Sequence, residues 1–236
     1  MMKYRRILLK MSGESLAGTQ RYGLDAGQLE KYAGEIASVY HKKTQVAVVL
    51  GGGNIFRGFQ GSKTGIDRVQ GDYMGMLATV INSMGLQAML QKKDIPAVVL
   101  GGIEIAPLCE KMSRQAAINY LEKEFVVIIS GGTGNPFFTT DTAAALRAVE
   151  ISADVILKAT RVDGVYTANP EKDPTAVKFK SLSFNDAYER GLMIMDLTAF
   201  TLCRENRMPV VVFDVNTHGN LLKIVEGDEI GTLIYP

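Results

Sequence analysis

Residues 46–53 read Val-Ala-Val-Val-Leu-Gly-Gly-Gly, an uninterrupted apolar run that ends in three glycines. Similar short runs occur at residues 7–9, 98–100 and 125–129, and glycine or a small polar residue follows each of them closely. A strand that is covered on both faces is apolar throughout, which is typical of parallel sheets. The runs therefore predict a buried, mainly parallel sheet whose strands end in glycine-rich loops.

Helical patterns lie between these predicted strands. Apolar residues between positions 29 and 40 recur at helical spacing after the N-cap candidate Asp25. Two further helices are predicted from about Arg68 to Lys92 and from Asp141 to about Glu150. The alternation predicts an α/β fold, a three-layer αβα sandwich in which ligands bind beyond the carboxyl ends of the strands. The later predicted elements are helices near Phe184, Leu197 and 221–225, and strands at 210–213 and 232–235.

The composition is that of an ordinary globular protein. The chain has 236 residues, 47% hydrophobic and 22% charged, enough for a core without disulfides or a structural metal. Its formal net charge of +1 argues against a nucleic-acid or anionic membrane partner. Cys109 and Cys203 fall in no disulfide or zinc pattern, and no apolar run reaches the ~18 residues of a membrane helix. We therefore expect a cytoplasmic protein with a single domain, residues 1–236.

Gly51 to Gly53, followed by Arg57, have the features of an anion-binding loop. Glycines allow successive amide N–H groups to converge on phosphate oxygens, although a tight strand-to-helix crossing uses the same residues. Lys10 ends the first predicted strand beside Ser12 and Gly13. Such a lysine either faces solvent or neutralises charge on a transferred phosphoryl group.

The most informative segment is residues 130–141, Ser-Gly-Gly-Thr-Gly-Asn-Pro-Phe-Phe-Thr-Thr-Asp. Its glycines permit close approach to a ligand, and its two phenylalanines are suited to form the wall of a site for an aromatic base. Thr140 or Asp141 opens the next predicted helix, and plain N-capping is an alternative role for either. Asp72 is a candidate acceptor for ribose hydroxyls, or else an ordinary surface acid. Residues 156–166 form another strand end, which suits a second nucleotide.

Two common nucleotide-binding patterns are absent from the sequence. The dinucleotide pattern G-x-G-x-x-G fails at Phe56 and again at Phe137, and the P-loop pattern G-x-x-x-x-G-K-[ST] does not occur. These absences argue against a Rossmann oxidoreductase and against a P-loop kinase.

Residues 10–14, 51–58, 71–79 and 133–141 resemble the bacterial UMP kinase family of the amino acid kinase superfamily, and the similarity extends over nearly the whole chain. The most specific part is Gly-Thr-Gly-Asn-Pro-Phe-Phe-Thr-Thr-Asp, residues 132–141. The resemblance implies an amino acid kinase (carbamate kinase-like) αβα fold. It also implies direct in-line transfer of the ATP γ-phosphoryl group to UMP, giving UDP and ADP in pyrimidine biosynthesis.

The resemblance assigns roles to residues, with Asp141 orienting the catalytic lysine. The implied catalytic residues are Lys10, Arg57 and Asp141. The implied ATP contacts are Lys10, Met11, Ser12, Gly13, Gly53, Arg57, Thr160, Tyr166 and Asn169, the last at a position where many relatives carry aspartate. The implied UMP contacts are Gly52, Asp72, Thr133, Gly134, Asn135, Pro136, Phe137, Phe138, Thr139 and Thr140. About residues 1–152 would form the UMP-binding half and 153–236 the ATP-binding half.

The resemblance further implies Mg²⁺ carried on the nucleotide phosphates without a direct protein ligand, a homohexamer, activation by GTP and inhibition by UTP. The implied effector segment is Gly18, Thr19, Gln20, Arg21, Tyr22 and Gly23. Lys158 and Asp196 fall in similar segments without an assigned role, and Asp196 is an N-cap candidate.

Two other functions remain open on the sequence. An amino acid kinase acting on a carboxylate or carbamate would share the fold, although such acceptors do not call for Phe137, Phe138 or Asp72. A nucleotide-binding regulatory protein would also share it, although loss of turnover would be expected to remove Lys10 or Asp141.

Overall fold

The computed structural model describes residues 2–20, 22–56 and 65–236, so Arg21 and Arg57, which both have predicted roles, lie outside the described residues. The strands of the described ranges form one nine-stranded sheet with the order β4-β3-β5-β2-β1-β6-β8-β9-β7. The strands are β1 (Arg6–Met11), β2 (Gln45–Leu50), β3 (Ala97–Gly101), β4 (Glu110–Lys111), β5 (Val126–Ser130), β6 (Val155–Thr160), β7 (Ser181–Ser183), β8 (Val210–Asp214) and β9 (Thr232–Tyr235).

Seven α-helices lie in the part of the chain that the structure describes. They are α1 (Ala26–Tyr40), α2 (Arg68–Gln91), α3 (Arg114–Glu122), α4 (Thr140–Glu150), α5 (Phe184–Glu189), α6 (Leu197–Glu205) and α7 (Asn220–Glu226). Two short 3₁₀ turns, Gly13–Leu16 and Gly18–Gln20, follow β1. The sequence patterns predicted all of these helices except α3.

The sheet is parallel from β4 to β8, and β9 runs antiparallel to β8. The carboxyl ends of β1, β2, β5 and β6 therefore meet at one edge of the sheet. The predicted ligand loops all start from this edge.

Helices cover both faces of the sheet and produce the predicted three layers. One apolar cluster joins α1, α2 and α7 to one face, and a second joins α3, α4, α5 and α6 to the other. In β1, Leu8 belongs to the second cluster while Ile7 and Leu9 belong to the first. Lys10 lies two residues after Leu8, so the strand's alternation puts its side chain on the face that carries α4.

The N-caps set where the helices begin. Asp25 caps α1 as predicted, and its side chain accepts a hydrogen bond from the Gln28 amide. The alternative that Thr140 or Asp141 caps α4 is wrong, because the Thr139 hydroxyl accepts from the amides of Asp141 and Thr142. Asp141 thereby falls in the first turn of the helix with its carboxylate free to contact other groups.

Two further findings concern membrane-spanning helices and disulfide bonds. Within the described ranges, no helix has both the length and the apolar character needed to cross a lipid bilayer. Cys109 and Cys203 are both buried free thiols, which agrees with their lack of a disulfide pattern in the sequence.

Candidate active site

Two lysines from neighbouring strands converge on one carboxylate. Lys10 of β1 and Lys158 of β6 are paired in the parallel register, and both lie on the face that carries α4. The Lys10 Nζ is 2.8 Å from Asp141 Oδ1, and the Lys158 Nζ is 2.6 Å from Asp141 Oδ2. The Lys158 ammonium also donates to the Ile194 carbonyl at 2.6 Å. We refer to Lys10, Asp141 and Lys158 as the lysine cluster.

The lysine cluster is largely buried, with side-chain exposures of 13% for Lys10, 18% for Asp141 and 12% for Lys158. Burial opposes ionisation of Asp141, but the two ammoniums outweigh it and hold the pKa of this carboxyl below its ordinary value. Burial and the charge of Lys10 lower the pKa of Lys158 despite the opposing effect of Asp141. Two ammoniums and one carboxylate give the lysine cluster itself a charge of +1, and the carboxylate of Asp196 lies nearby.

Lys158 is a site residue to which sequence reasoning gave no role. Its signal is a lysine inside the otherwise apolar strand β6, two residues before the strand ends at Thr160. Cys203 lies close to the same cluster, and burial together with the carboxylates of Asp141 and Asp196 raises the pKa of its thiol to about 12.

The glycine bend, residues 51–53, follows β2 beside the lysine cluster. The amides of Gly52 and Gly53 donate no hydrogen bond to any other described residue, so both are free for a ligand. A Cβ at Gly52 would lie 2.6 Å from the Gly75 carbonyl oxygen and 2.9 Å from the Ala78 Cβ. Glycine is therefore required here for close packing of the bend against α2.

A cavity of about 260 Å³ opens between the glycine bend, α2 and the loop that connects β5 to α4. We call it the acceptor cavity. Its lining includes seven of the residues predicted to bind UMP, namely Gly52, Asp72, Thr133, Asn135, Phe138, Thr139 and Thr140, together with Gly53. Gly134, Pro136 and Phe137 belong to the same loop but do not line the cavity.

Asp72 holds this loop in place. Its carboxylate accepts hydrogen bonds from the Phe137 amide at 2.8 Å and from the Arg68 Nε at 2.9 and 3.0 Å. The Phe137 ring lies under the Arg68 guanidinium and is 64% exposed. Phe138 is therefore better placed than Phe137 to pack against a bound base.

Arg147 supports the loop that connects β5 to α4, a role that the sequence did not predict. This arginine of α4 is only 7% exposed, and it donates to the carbonyls of Gly132 and Thr133 at 3.2 and 3.3 Å. Glu150 accepts from the same guanidinium at 2.8 Å. Because Gly132 and Thr133 both line the acceptor cavity, this ion pair fixes part of its wall.

A second cavity, of about 350 Å³, lies on the other side of the lysine cluster, beyond β6. We call it the donor cavity. Thr160 and Asn169, two predicted ATP contacts, line it together with Arg161 and Val162. Tyr166, another predicted ATP contact, donates its hydroxyl to Asp163 at 2.6 Å, and this hydrogen bond raises the pKa of the phenol.

Among the remaining predicted ATP contacts, Met11, Ser12 and Gly13 line neither cavity, and Met11 is buried in the core. Ser12 caps the 3₁₀ turn after β1 and accepts from the Glu14 amide, and Gly13 packs against the carbonyl of Gly51. Asp196 caps α6, as proposed from the sequence, and it also accepts from the hydroxyls of Thr139 and Thr142. It therefore ties the start of α6 to the start of α4.

The predicted effector segment follows the 3₁₀ turn. Gly18, Thr19 and Gln20 form the second turn, Arg21 is outside the described residues, and Tyr22 is 68% exposed. The Gly23 amide donates to the Asn54 carbonyl at 2.9 Å, which joins this segment to the glycine bend.

Comparison with known proteins identifies the family of the chain. A family model described as the amino acid kinase family matches residues 5–214. The chain therefore belongs to this family, as its resemblance to amino acid kinases implied.

Individual relatives and solved structures give a more specific match. The chain is 54% identical over 235 residues to a protein named uridylate kinase from Parabacteroides distasonis, and the match covers 100% of both chains. The crystal structure of UMP kinase from Bacillus anthracis has a TM-score of 0.95 and 37% identity, and the match covers 98% of this chain and 96% of that one. That of UMP kinase from Ureaplasma parvum has a TM-score of 0.93 and 35% identity, with 100% of both chains covered. Such full-length matches place the chain in the uridylate kinase branch of the family.

Proposed function

We propose that this chain is a phosphotransferase that moves the γ-phosphoryl group of ATP to UMP, giving ADP and UDP for pyrimidine nucleotide biosynthesis. One observation carries the proposal. The lysine cluster lies at the ends of β1 and β6, with the acceptor cavity on its β2 and β5 side and the donor cavity on its β6 side. Full-length relatives named uridylate kinase support UMP as the acceptor.

The reaction requires stabilisation of charge between the two nucleotides. Negative charge is spread over the transferred phosphoryl group and the oxygens in line with it, and fixed ammoniums stabilise that charge. Lys10 and Lys158 supply the ammoniums, and Gly52 and Gly53 supply free amides. Each oxygen of Asp141 accepts from one lysine, so Asp141 acts by orienting both ammoniums. Direct in-line transfer needs positioning and charge stabilisation from these groups.

The residues at the site fit a magnesium ion that enters with ATP. Both Asp141 oxygens are engaged by lysines, and Asp196 is engaged by two threonine hydroxyls and the Ala199 amide. We therefore propose that phosphate oxygens and water, and no protein carboxylate, hold Mg²⁺. When bound, the ion neutralises phosphate charge.

The two cavities also support a division of the chain. Every residue that lines the acceptor cavity comes before residue 152, and every residue that lines the donor cavity comes after it. We propose that residues 1–152 hold UMP and that residues 153–236 hold the ATP base and ribose. Lys10 to Gly13 and Gly53 extend from the first part toward the ATP phosphates, and Arg57 is proposed to act between the two phosphate groups.

A rate assay with a panel of acceptors tests the proposed function. ADP release is measured with ATP and Mg²⁺ in the presence of UMP, CMP, AMP or a small carboxylate. We expect the highest kcat/KM with UMP. Faster turnover of a carboxylate would support the other amino acid kinase specificity, and ATP binding without ADP release on any acceptor would support a regulatory protein. The intact contact between Lys10 and Asp141, at 2.8 Å, argues against loss of turnover.

We further propose that the chain assembles as a homohexamer. Helix α2 presents Met74, Leu77, Ile81 and Met84 to solvent, with exposures of 39%, 48%, 49% and 39%. Their spacing of three and four residues forms a continuous apolar stripe that suits contact with a second helix. Sedimentation velocity measures the assembly state.

Control by GTP as activator and UTP as inhibitor is proposed for the segment of residues 18–23. The hydrogen bond from Gly23 to Asn54 supports a connection between this segment and the glycine bend. Rate assays with and without each nucleotide test both effects.

The two free thiols, Cys109 and Cys203, support a reducing compartment such as the cytoplasm.

A further inference from the structure

Two buried asparagines form a closed pair behind the glycine bend. Asn54 follows the bend and is 2% exposed, and Asn82 lies in the middle of α2 and is fully buried. The Asn54 Nδ2 donates to Asn82 Oδ1 at 3.0 Å, and the Asn82 Nδ2 donates to Asn54 Oδ1 at 2.7 Å. Neither residue lines the acceptor cavity, so a ligand contact does not explain this reciprocal arrangement.

Each side-chain amide also donates its second N–H to a main-chain carbonyl. Asn54 donates to the Gly23 carbonyl at 2.7 Å, and Asn82 donates to the Gly51 carbonyl at 2.7 Å. All four side-chain N–H donors of the pair are therefore satisfied. An aspartate has the same shape as an asparagine but lacks these donors, and an apolar residue would leave the facing carbonyls without partners in a buried site.

The bond from Asn82 to the Gly51 carbonyl determines where the next amide points. In a trans peptide, the C=O of one residue and the N–H of the following residue point in opposite directions within one plane. Because Asn82 holds the Gly51 oxygen toward α2, the Gly52 N–H must point away from Asn82. Gly52 lines the acceptor cavity, and its amide is one of the two free amides of the bend.

The loop after β1 rests on the same pair. A Cβ at Gly13 would lie 2.5 Å from the Gly51 oxygen and 2.6 Å from Asn54 Oδ1. The backbone of Gly13 therefore packs directly against two of the acceptor atoms in the network. The position of the loop that carries Ser12 and Gly13 depends on the same hydrogen bonds as the position of the glycine bend.

We propose that Asn54 and Asn82 are positioning residues for phosphoryl transfer, which aim the amide of Gly52 at the phosphate and set the loop after β1 beside it. They act through the backbone of Gly51 and Gly13 and touch neither substrate. The inference rests on the proposed function, because it assumes that phosphate groups lie at the glycine bend.

The test compares Asn82→Asp with Ser83→Ala. Ser83 is the next residue of α2, is fully buried, and donates its hydroxyl to the Thr79 carbonyl without contacting the bend. It therefore controls for loss of a buried hydrogen bond in the same helix. We expect Asn82→Asp to lower kcat/KM for UMP by about 10-fold or more, because misplacing a binding group by a fraction of an ångström has effects of this size. Ser83→Ala should stay within about 2-fold of the native protein.

Two further measurements separate positioning from stability. Urea unfolding gives the stability of each variant, and calorimetry gives the affinity of each for UMP and for ATP, independently of turnover. The proposal is supported if folded Asn82→Asp binds UMP or ATP more weakly and turns over more slowly. Ser83→Ala, at a similar stability, should retain both binding and turnover. Native-like binding and turnover in folded Asn82→Asp would overturn it. If that variant does not fold, Asn54→Ala takes its place with the same two criteria. Absence of UMP phosphorylation by the native protein would refute the proposed function, and ATP binding would still decide the role of the pair.

Discussion

At the scale of single residues, the unusual feature is one carboxylate shared by two ammoniums. Lys10 contacts one oxygen of Asp141 at 2.8 Å, and Lys158 contacts the other at 2.6 Å. The carboxylate holds the two ammoniums together against their mutual repulsion. The roles of the three residues can therefore be tested separately.

Replacing Lys10 by methionine removes one ammonium and leaves Asp141 paired with Lys158. We expect kcat to fall by about 10²-fold or more, as when one transition-state donor is removed. The free energy of unfolding should change little, because Asp141 keeps a partner. Lys42→Met is the control, since Lys42 is 48% exposed and pairs with Glu226 away from the site. A Lys10→Met variant with native turnover would exclude this role for Lys10.

The lowered pKa of Asp141 predicts how stability depends on pH. In the folded protein the carboxylate is more acidic than in the unfolded chain, so its stabilising effect is complete above the ordinary pKa of 3.8 and is lost as the pH falls through the lowered value. The free energy of unfolding of Asp141→Asn should therefore be below that of the native protein at neutral pH, and the difference should narrow in acid. Urea unfolding over a pH series measures the difference. A gap that stays constant below pH 3.8 would contradict the assignment.

At the scale of elements, α2 connects the parts of the site. One face of this helix carries Asp72 and Gly75 to the acceptor cavity, its centre carries the buried Asn82, and another face carries the exposed apolar stripe. The glycine bend packs against the same helix at Gly75 and Ala78. A change in the distance between α2 and β2 should therefore alter the cavity directly.

Gly52→Ala tests this packing. The added Cβ would meet the Gly75 oxygen at 2.6 Å, so α2 or the bend must shift, at a cost of about 1–3 kcal/mol in the free energy of unfolding. We also expect a higher KM for UMP. Gly34→Ala is the matched control, because a Cβ at Gly34 in α1 meets nothing within 4 Å and should stabilise the helix by about 0.5–1 kcal/mol. Equal stabilities of the two variants, measured by urea unfolding, would argue against tight packing at Gly52.

Sequence patterns predicted most elements for identifiable reasons. The strands are buried on both faces and the long helices have regular apolar spacing, so local composition suffices for both. Helix α3 was missed because only Ala117 and Leu121 of its nine residues are buried, which leaves a weak apolar pattern. The cap of α4 was placed one or two residues late, at Thr140 or Asp141, because Thr139 and both of these are good capping residues and only the backbone decides among them.

Within the site, the resemblance identified the loops but not their supports. Lys158 and Arg147 reach the site from a strand and a helix that are distant in sequence from the glycine bend, and no local spacing links them to it. The residues around Asn82 in the sequence form no pattern that distinguishes it from any other polar residue of a helix. Its importance comes from the opposing amide of Asn54, which the tertiary fold places against it.

At the scale of the whole molecule, the apolar stripe on α2 is a surface that suits contact with a second subunit. Introducing charge at its centre should prevent contact between two such stripes, because a buried unpaired carboxylate is strongly unfavourable. We expect the double substitution Leu77→Glu with Ile81→Glu to reduce the sedimentation coefficient to that of a smaller species. Val177→Glu controls for a charge at an exposed apolar residue elsewhere, since Val177 is 64% exposed. An unchanged assembly in the double variant would place the subunit contact on another surface.

The position of Cys203 gives the molecule an internal reporter. This thiol, on the buried face of α6 where that helix contacts α4, has a pKa of about 12, so it is almost entirely protonated at neutral pH and is shielded from reagents. Iodoacetamide should therefore modify it only during moments when these two helices separate from the sheet. The alkylation rate, followed by mass spectrometry with and without nucleotides, would show how strongly bound nucleotides suppress the separation of these helices from the sheet.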